Sequence, residues 1–300
     1  MAKKRAYACY RELGAELRKR RIAAQLSMSQ LGYSLGWSTT KVSRVESGHI
    51  GLPTTEVLHY LGPCEVLLPQ ALDLLDLCRT AERKLGYWLS PHGEWINNQL
   101  HSLIFHESTA NESVTYESLL VPGLLQTPEY ARVRISREKT LTQATVEQYV
   151  QVRLRRQEIL HRPKPARFEF YIHEQALRLP VGDATVRHEQ ALHLALLSTL
   201  PHITIRVVPT QAGERSAFGG SFAVYGFDRH TPLVYLDNHI TGMFLEKPGL
   251  VQPYQTLVPE IADVALDAKD SREFVATLAD EYDLGSSQSN DQHVVAEEQL

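Results

Sequence analysis

Residues 26–53, LSMSQLGYSLGWSTTKVSRVESGHIGLP, constrain this chain more than any other stretch. They read as two short helices joined by a tight turn. Ser27 is placed to cap the first, its hydroxyl accepting from an orphan amide of the opening turn. Leu31 and Leu35, four apart, face inward on a helix ending at Gly36, where glycine can take positive φ without a Cβ penalty. Ser38 then caps a second helix over 39–46, in which Val42 and Val45 point inward. Thr39, Thr40, Lys41, Ser43 and Arg44 are left outside, and Ser47-Gly48 stops the helix. An exposed face made of hydroxyls and cations suits the major groove of a duplex. Cations neutralise phosphates there, and short polar groups with an arginine read base edges. The alternative is a small helical bundle whose polar face meets only water.

Charge decides between the two. Residues 1–50 hold ten lysines and arginines against three glutamates, a net +7, while the remaining 250 hold 21 basic against 32 acidic residues, a net −11. A basic head on an acidic body fits a nucleic-acid-binding module joined to a part with another task. At 300 residues the chain is long enough for two domains with a sizeable core. No run of 18 apolar residues indicates a membrane span, and MAKKRAYACYREL lacks the apolar core of a secretory signal. Cys9, Cys64 and Cys78 are odd in number and in no CxxC spacing, which suits a reducing cytoplasm and argues against disulfides or structural zinc.

With those residues in view, GWSTTKVSRVESG resembles the recognition half of a helix-turn-helix repressor of the Cro/CI (Xre) type, over roughly residues 10–53. The resemblance implies that the first two residues of the recognition helix and the sixth meet bases: Thr39, Thr40 and Arg44. It also aligns Arg21 with an arginine that reaches the glutamate ending that helix, here Glu46, so an Arg21–Glu46 pair is expected as a structural brace. Two positions depart from the family. Met28 stands where a phosphate-binding glutamine is common, and Gly32 where alanine is preferred, lowering helix propensity by about 1 kcal/mol. The candidate DNA-binding set is Ser38, Thr39, Thr40, Lys41, Ser43 and Arg44, flanked by Ser27, Met28 and Lys19.

Along the rest of the chain, residues 1–9 read as a flexible basic arm. A first helix is expected over 10–25, with Leu13, Leu17 and Ile22 inward and Arg18, Lys19 and Arg20 outward. A fourth helix follows over 54–61 and a fifth over 67–85, its Leu72, Leu75 and Cys78 forming a core stripe; Gly62-Pro63 breaks them and 86–93 serves as connector. Beyond it helix and strand mix. A helix is expected around Trp95 to Ile104 and a strand over 114–119. After a turn at Pro122-Gly123, Thr127 caps a helix opening on Pro128. A long helix covers 142–160. Phe168, Phe170 and Ile172 share a strand face, and Asp183 caps a helix to about 200. Strands are expected at 203–208, 221–227, 232–237 and 242–246, helices at 249–267 and 271–282, and a polar, disordered tail at 285–300. The fold class is therefore multidomain: an all-α helix-turn-helix N-terminal domain (1–85), then an α+β domain with a mixed sheet (94–284), its strand order unassigned.

YESLLVPGLLQTPEYAR, RLRRQEIL, HEQALRLPVGD and ITIRVVP together resemble the C-terminal domain attached to many actinobacterial Xre-type regulators, over about 90–283. That resemblance implies little chemistry, but many such regulators are paired with a small companion protein encoded nearby. Enzymatic and metal signatures are missing. HEQAL occurs at His173 and His188, yet neither supplies the second histidine of HExxH, and His188 and His193 do not share a helix face. AGERSAFGGSF at 212–222 reads as a mobile hairpin loop rather than a phosphate cradle, and no GxSxG is present. Arg153, Arg155 and Arg156 read as a solvated or dimer-facing edge. No catalytic residue, metal or cofactor is assigned, so the chain is expected not to be an enzyme. It reads as a cytoplasmic, homodimeric transcriptional regulator whose C-terminal domain senses a ligand or protein. The expected partners are double-stranded DNA, a second copy of the chain, a small companion protein and a small-molecule effector, with no membrane. The alternative is an antitoxin-like protein that binds its companion and autoregulates its operon.

Overall fold

The computed structural model describes residues 8–83, 87–89, 97–237 and 242–297, with side chains at all of these except 87–89, 97–100 and 284–297. The helices are α1 (Ala8–Ala23), α2 (Met28–Leu35), α3 (Thr39–Glu46), α4 (Thr54–Leu61), α5 (Leu68–Glu82) and α6 (Asn97–Thr109). They continue with α7 (Pro128–Ile135), α8 (Gln143–Gln157), α9 (Glu174–Arg178), α10 (Ala184–Leu197), α11 (Pro248–Val264) and α12 (Ala268–Glu297). The strands are β1 (Tyr87–Leu89), β2 (Glu112–Glu117), β3 (Arg167–His173), β4 (Ile203–Val208), β5 (Phe222–Gly226), β6 (Leu233–Asp237) and β7 (Gly242–Leu245). An all-helical N-terminal region is thus followed by helices mixed with both parallel and antiparallel strands, the fold class expected from the sequence.

Packing groups the chain into two compact units. One holds the residues up to Ala110 together with Tyr225–Tyr254; the other holds Asn111–Val224 and the residues from Gln255 on. The sequence divides the chain instead at a connector, 86–93. Of that stretch Tyr87–Leu89 form β1, antiparallel to β7, and the rest lies outside the described residues. Tyr-Trp-Leu favours a pleated, half-buried surface, but its partner is too far along the chain for local patterning to reveal.

In the first unit, Leu13 and Leu17 of α1, Leu31 and Leu35 of α2, Val42 and Val45 of α3, and Val57, Tyr60 and Leu61 of α4 are buried. Two expected core positions are not. Ile22 is 54% exposed, because the inward stripe of α1 runs through Leu13, Leu17 and Arg21. Leu72 is 48% exposed, because Ala71, Leu75 and Cys78 take the inward face of α5. β6 pairs antiparallel with β7, which pairs with β1.

The second unit is built on β2, β3 and β4, paired parallel in that order. Parallel neighbours need long crossovers, which α7 and α8 provide between β2 and β3, and α9 and α10 between β3 and β4. The register sets Phe168, Phe170 and Ile172 beside Ile203, Ile205 and Val207, and this apolar face is covered by α10 and α12 through Leu194, Val275 and Leu278. Arg206 donates to the carbonyls of Ala262, Ala265 and Leu266, satisfying the orphan acceptors where α11 ends. α12 continues through Glu297, so the tail expected to be disordered from 285 is helical for most of its length; it contains no proline, and Gly285 alone does not break the run. The loop expected to be mobile begins instead as a 3-10 turn, Thr210–Ser216, closed by Ser216 Oγ donating to the Gly213 carbonyl at 2.7 Å.

Candidate nucleic-acid interface

The α2–turn–α3 corner is set by its caps. Ser27 Oγ accepts from the Gln30 amide while Gln30 Oε1 accepts from the Ser27 amide, a reciprocal capping box. Gly36 closes α2 in the left-handed region at φ 66°. The Trp37 amide then donates back to the Gly32 carbonyl at 2.8 Å. A Cβ at position 32 would lie 2.7 Å from the Trp37 carbonyl oxygen, so the glycine that costs helix propensity is required by the close return of the chain. Ser38 Oγ accepts from the Lys41 amide at 3.1 Å and starts α3.

Burial of Val42, Val45 and Glu46 fixes the rotation of α3. At about 100° per residue, the arc opposite them carries Thr40, Ser43 and Arg44 with Thr39 at its edge, and all four are exposed. Ser38, Ser27 and Met28 are exposed too, the two serines with one lone pair committed to their caps. Lys19 projects from α1 and pairs with Glu16. Lys41, which the sequence leaves on the outside of α3 at the edge of the exposed arc, is held more closely than the others. It is half-buried: its ammonium lies 3.7 Å from the Trp37 ring centroid and 3.1 Å from Glu56 Oε2. A phosphate must therefore compete with Glu56 for it. Tyr33, which the sequence reading does not single out, stands 91% exposed on the side of α2 opposite Leu31 and Leu35.

Behind α3 lies a buried polar brace. Arg21 Nε donates to Glu46 Oε1 at 2.6 Å and Nη2 to Oε2 at 2.9 Å, a bidentate pair. Arg21 Nη1 donates to the Leu26 carbonyl at 2.7 Å, and the Tyr60 hydroxyl to Glu46 Oε1 at 2.7 Å. The network ties α1, α3, α4 and the α1–α2 loop together. The hydrogen bond to Glu46 holds the Arg21 guanidinium above its usual pKa, and burial raises that of the Tyr60 phenol. The family resemblance implies the Arg21–Glu46 pairing but carries no sign of Tyr60, which needs the α3–α4 crossing.

A helix-turn-helix domain family matches residues 12–62, from within α1 to the end of α4. A second family, a domain of unknown function designated DUF5753, matches residues 100–277, more than half of the chain. The chain belongs to the DUF5753 family. No curated protein and no solved structure matches it. Within the DUF5753 segment, the PGLLQT stretch is a packing hub. Leu124 and Leu125 are buried, Gln126 Nε2 donates to the Val121 carbonyl at 2.8 Å, and Gln190 bridges the Thr127 amide and the Leu125 carbonyl. Arg153 donates to Gln126 Oε1 at 2.6 Å, and Arg156 comes close to Gly123. The arginine cluster read from sequence as an outer edge is therefore split, with Arg153 and Arg156 half-buried on this segment and Arg155 exposed. His173 and Ser216, 3.4 Å apart, do not form a base–nucleophile pair. His173 Nδ1 accepts from the Gln175 amide, so in the neutral ring Nε2 carries the proton and cannot take one from the hydroxyl.

Proposed function

We propose that this protein is a sequence-specific DNA-binding transcriptional regulator, cytoplasmic and not an enzyme. One observation carries the reading: a short helix presenting Thr39, Thr40, Ser43 and Arg44 to solvent, braced from behind by Arg21–Glu46–Tyr60, in a basic head. In this reading Arg44 places two N–H donors on guanine O6 and N7, Thr39 and Thr40 read neighbouring base edges, and Lys41 takes a phosphate by exchanging out of its Glu56 contact. Ser27, Met28 and Ser38 lie at the helix ends that meet the backbone.

One head of this size binds weakly alone, so the regulator works as a homodimer, two linked heads on a two-fold site gaining avidity. The DUF5753 part senses an effector or a companion protein. An open, charged groove lined by Glu214, Arg215, Phe218, Leu257, Glu260 and Asp263 is accessible to a polar effector. The test is selection of bound duplexes from random DNA by the full chain, with and without the companion protein. A two-fold consensus is expected. Recovery of unenriched DNA from every round rejects the reading.

A further inference from the structure

The turn between β5 and β6, residues 227–232, reads Phe-Asp-Arg-His-Thr-Pro and belongs to the same compact unit as α1–α6. It lies beside the loop that leaves α3. The Arg11 guanidinium sits 4.3 Å from the Phe227 ring centroid, and the rings of His49 and His230 are 6.4 Å apart. Phe227 and His230 pack edge to face at 6.4 Å, which stiffens the turn from inside. His49 follows α3 directly: its amide donates to the Arg44 carbonyl at 2.8 Å, and its Nδ1 is 2.8 Å from Ser47 Oγ. Between Phe227 and His230, Arg229 is exposed, with no hydrogen bond or ion pair to any described residue.

Charges of both signs meet here. Burial lowers the His230 pKa to about 4, and Arg11, His49 and Arg229 push it in the same direction. The acids near Arg11 are Glu12 and Glu246, and Asp228 adjoins Arg229 in the turn. The His49–His230 contact thus brings the β5–β6 turn to the C-terminal end of α3, whose exposed arc carries Thr40, Ser43 and Arg44. Arg229 adjoins His230 in that turn and so is brought to this end of α3 from a different part of the chain.

The geometry points to a second phosphate-binding element: the β5–β6 turn, which meets His49 through His230, is a wing in which Arg229 grips the DNA backbone flanking the bases met by α3. This rests on the DNA-binding reading above. It extends that reading by giving a residue of the DUF5753 segment, 100–277, a direct part in holding DNA.

The experiment titrates the full-length protein and its Arg229→Ala variant with a duplex selected by the wild type, and with single-base variants of it, across a salt series. Loss of one phosphate contact should shallow the dependence of log K on log[salt] by about one and weaken binding roughly fivefold at 0.15 M salt. Base preference and melting temperature should stay unchanged, and Arg229→Lys should restore the slope. A variant with wild-type slope and affinity overturns the wing. A wild type with no salt-dependent binding to any duplex overturns the DNA-binding reading itself. Inorganic phosphate is the third arm: saturable shifts of the His49 and His230 imidazole signals by phosphate alone, with an unaltered duplex slope for Arg229→Ala, assign the site to a free anion and reject the proposal.

Discussion

At the scale of the residue, the head depends on a few charges with opposite fates. Arg21 and Glu46 have side-chain exposures of 9% and 5%, so removing one leaves the other nearly without water. Arg21→Ala should cost about 3 kcal/mol or more, since a stranded buried charge loses its partner and its solvation together. Tyr60→Phe deletes one hydrogen bond and should cost closer to 1 kcal/mol. Chemical denaturation of the full chain checks both, and equal losses would show that Glu46 leans on Tyr60 as much as on Arg21. Lys41 is the reverse case. Its contact with Glu56 is partly exposed and worth about 1 kcal/mol or less, and the Trp37 ring adds about as much, so a phosphate can displace the carboxylate. Glu56→Gln should then raise affinity for mixed-sequence duplex by a fewfold, and Lys41→Ala should erase the gain. Additive effects in the double variant would mean that Lys41 never reaches the backbone. The pairing of Arg21 with Glu46 was legible through the resemblance to helix-turn-helix repressors, which aligns the two residues, and not through spacing. The Glu56 contact was not, since it depends on how α4 crosses α3.

At the scale of the element, the helices of the head were the most readable part of the chain. α3 and α4 begin and end at the residues expected from sequence, because Ser38, Gly48 and Pro53 punctuate them with local chemistry. β4 was equally plain, since its alternation and bounding turns need no distant partner. β1 and the order of β2, β3 and β4 were hidden, as pairing is non-local. So was the meaning of Gly14. It sits inside α1 with no unusual φ, where glycine weakens a helix by about 1 kcal/mol relative to alanine. Yet a Cβ there would lie 2.4 Å from the Val45 carbonyl oxygen and 2.7 Å from that of Glu46. These are backbone atoms at the end of α3, and they cannot turn aside as a side chain can. Gly14→Ala should therefore destabilise by about 1–3 kcal/mol, the usual range for overpacking, despite the gain in propensity. Because the clash falls on α3, its melting point should drop and its affinity for a selected duplex should fall as well. A melting point equal to or above wild type would mean that α1 and α3 can part without cost.

At the scale of the whole molecule, charge and packing cut the chain at different places. The basic surplus ends near residue 50, but the compact unit around it takes in residues as far as 110 and a second segment from Tyr225 to Tyr254. Both added segments overlap the DUF5753 match. They hold the opening turn of α1. The Ala8 amide donates to Glu246 Oε2 at 2.7 Å, Ser102 Oγ donates to Glu12 Oε1 at 2.6 Å, and His106 Nε2 lies 3.4 Å from Glu12 Oε2. A fragment of residues 1–85 lacks every one of these partners but keeps the Arg21–Glu46–Tyr60 brace. Amide exchange should therefore be faster at residues 8–12 in the fragment than in the full chain, while α2 and α3 remain protected and base preference is retained. Acid should reproduce part of this in the full chain. Burial holds His106 below the ordinary imidazole value of 6.5, against the opposing pull of Glu12, with Arg11 adding to the depression. A histidine depressed on folding contributes stability above pH 6.5 and loses it as the pH falls from there toward its folded value, because the unfolded chain takes up the proton first. Protection at residues 8–12 should accordingly decline between pH 7 and pH 5 in the full chain, and less so in the fragment. Equal protection in fragment and full chain at pH 7 would show that the first turn of α1 needs nothing beyond residue 85.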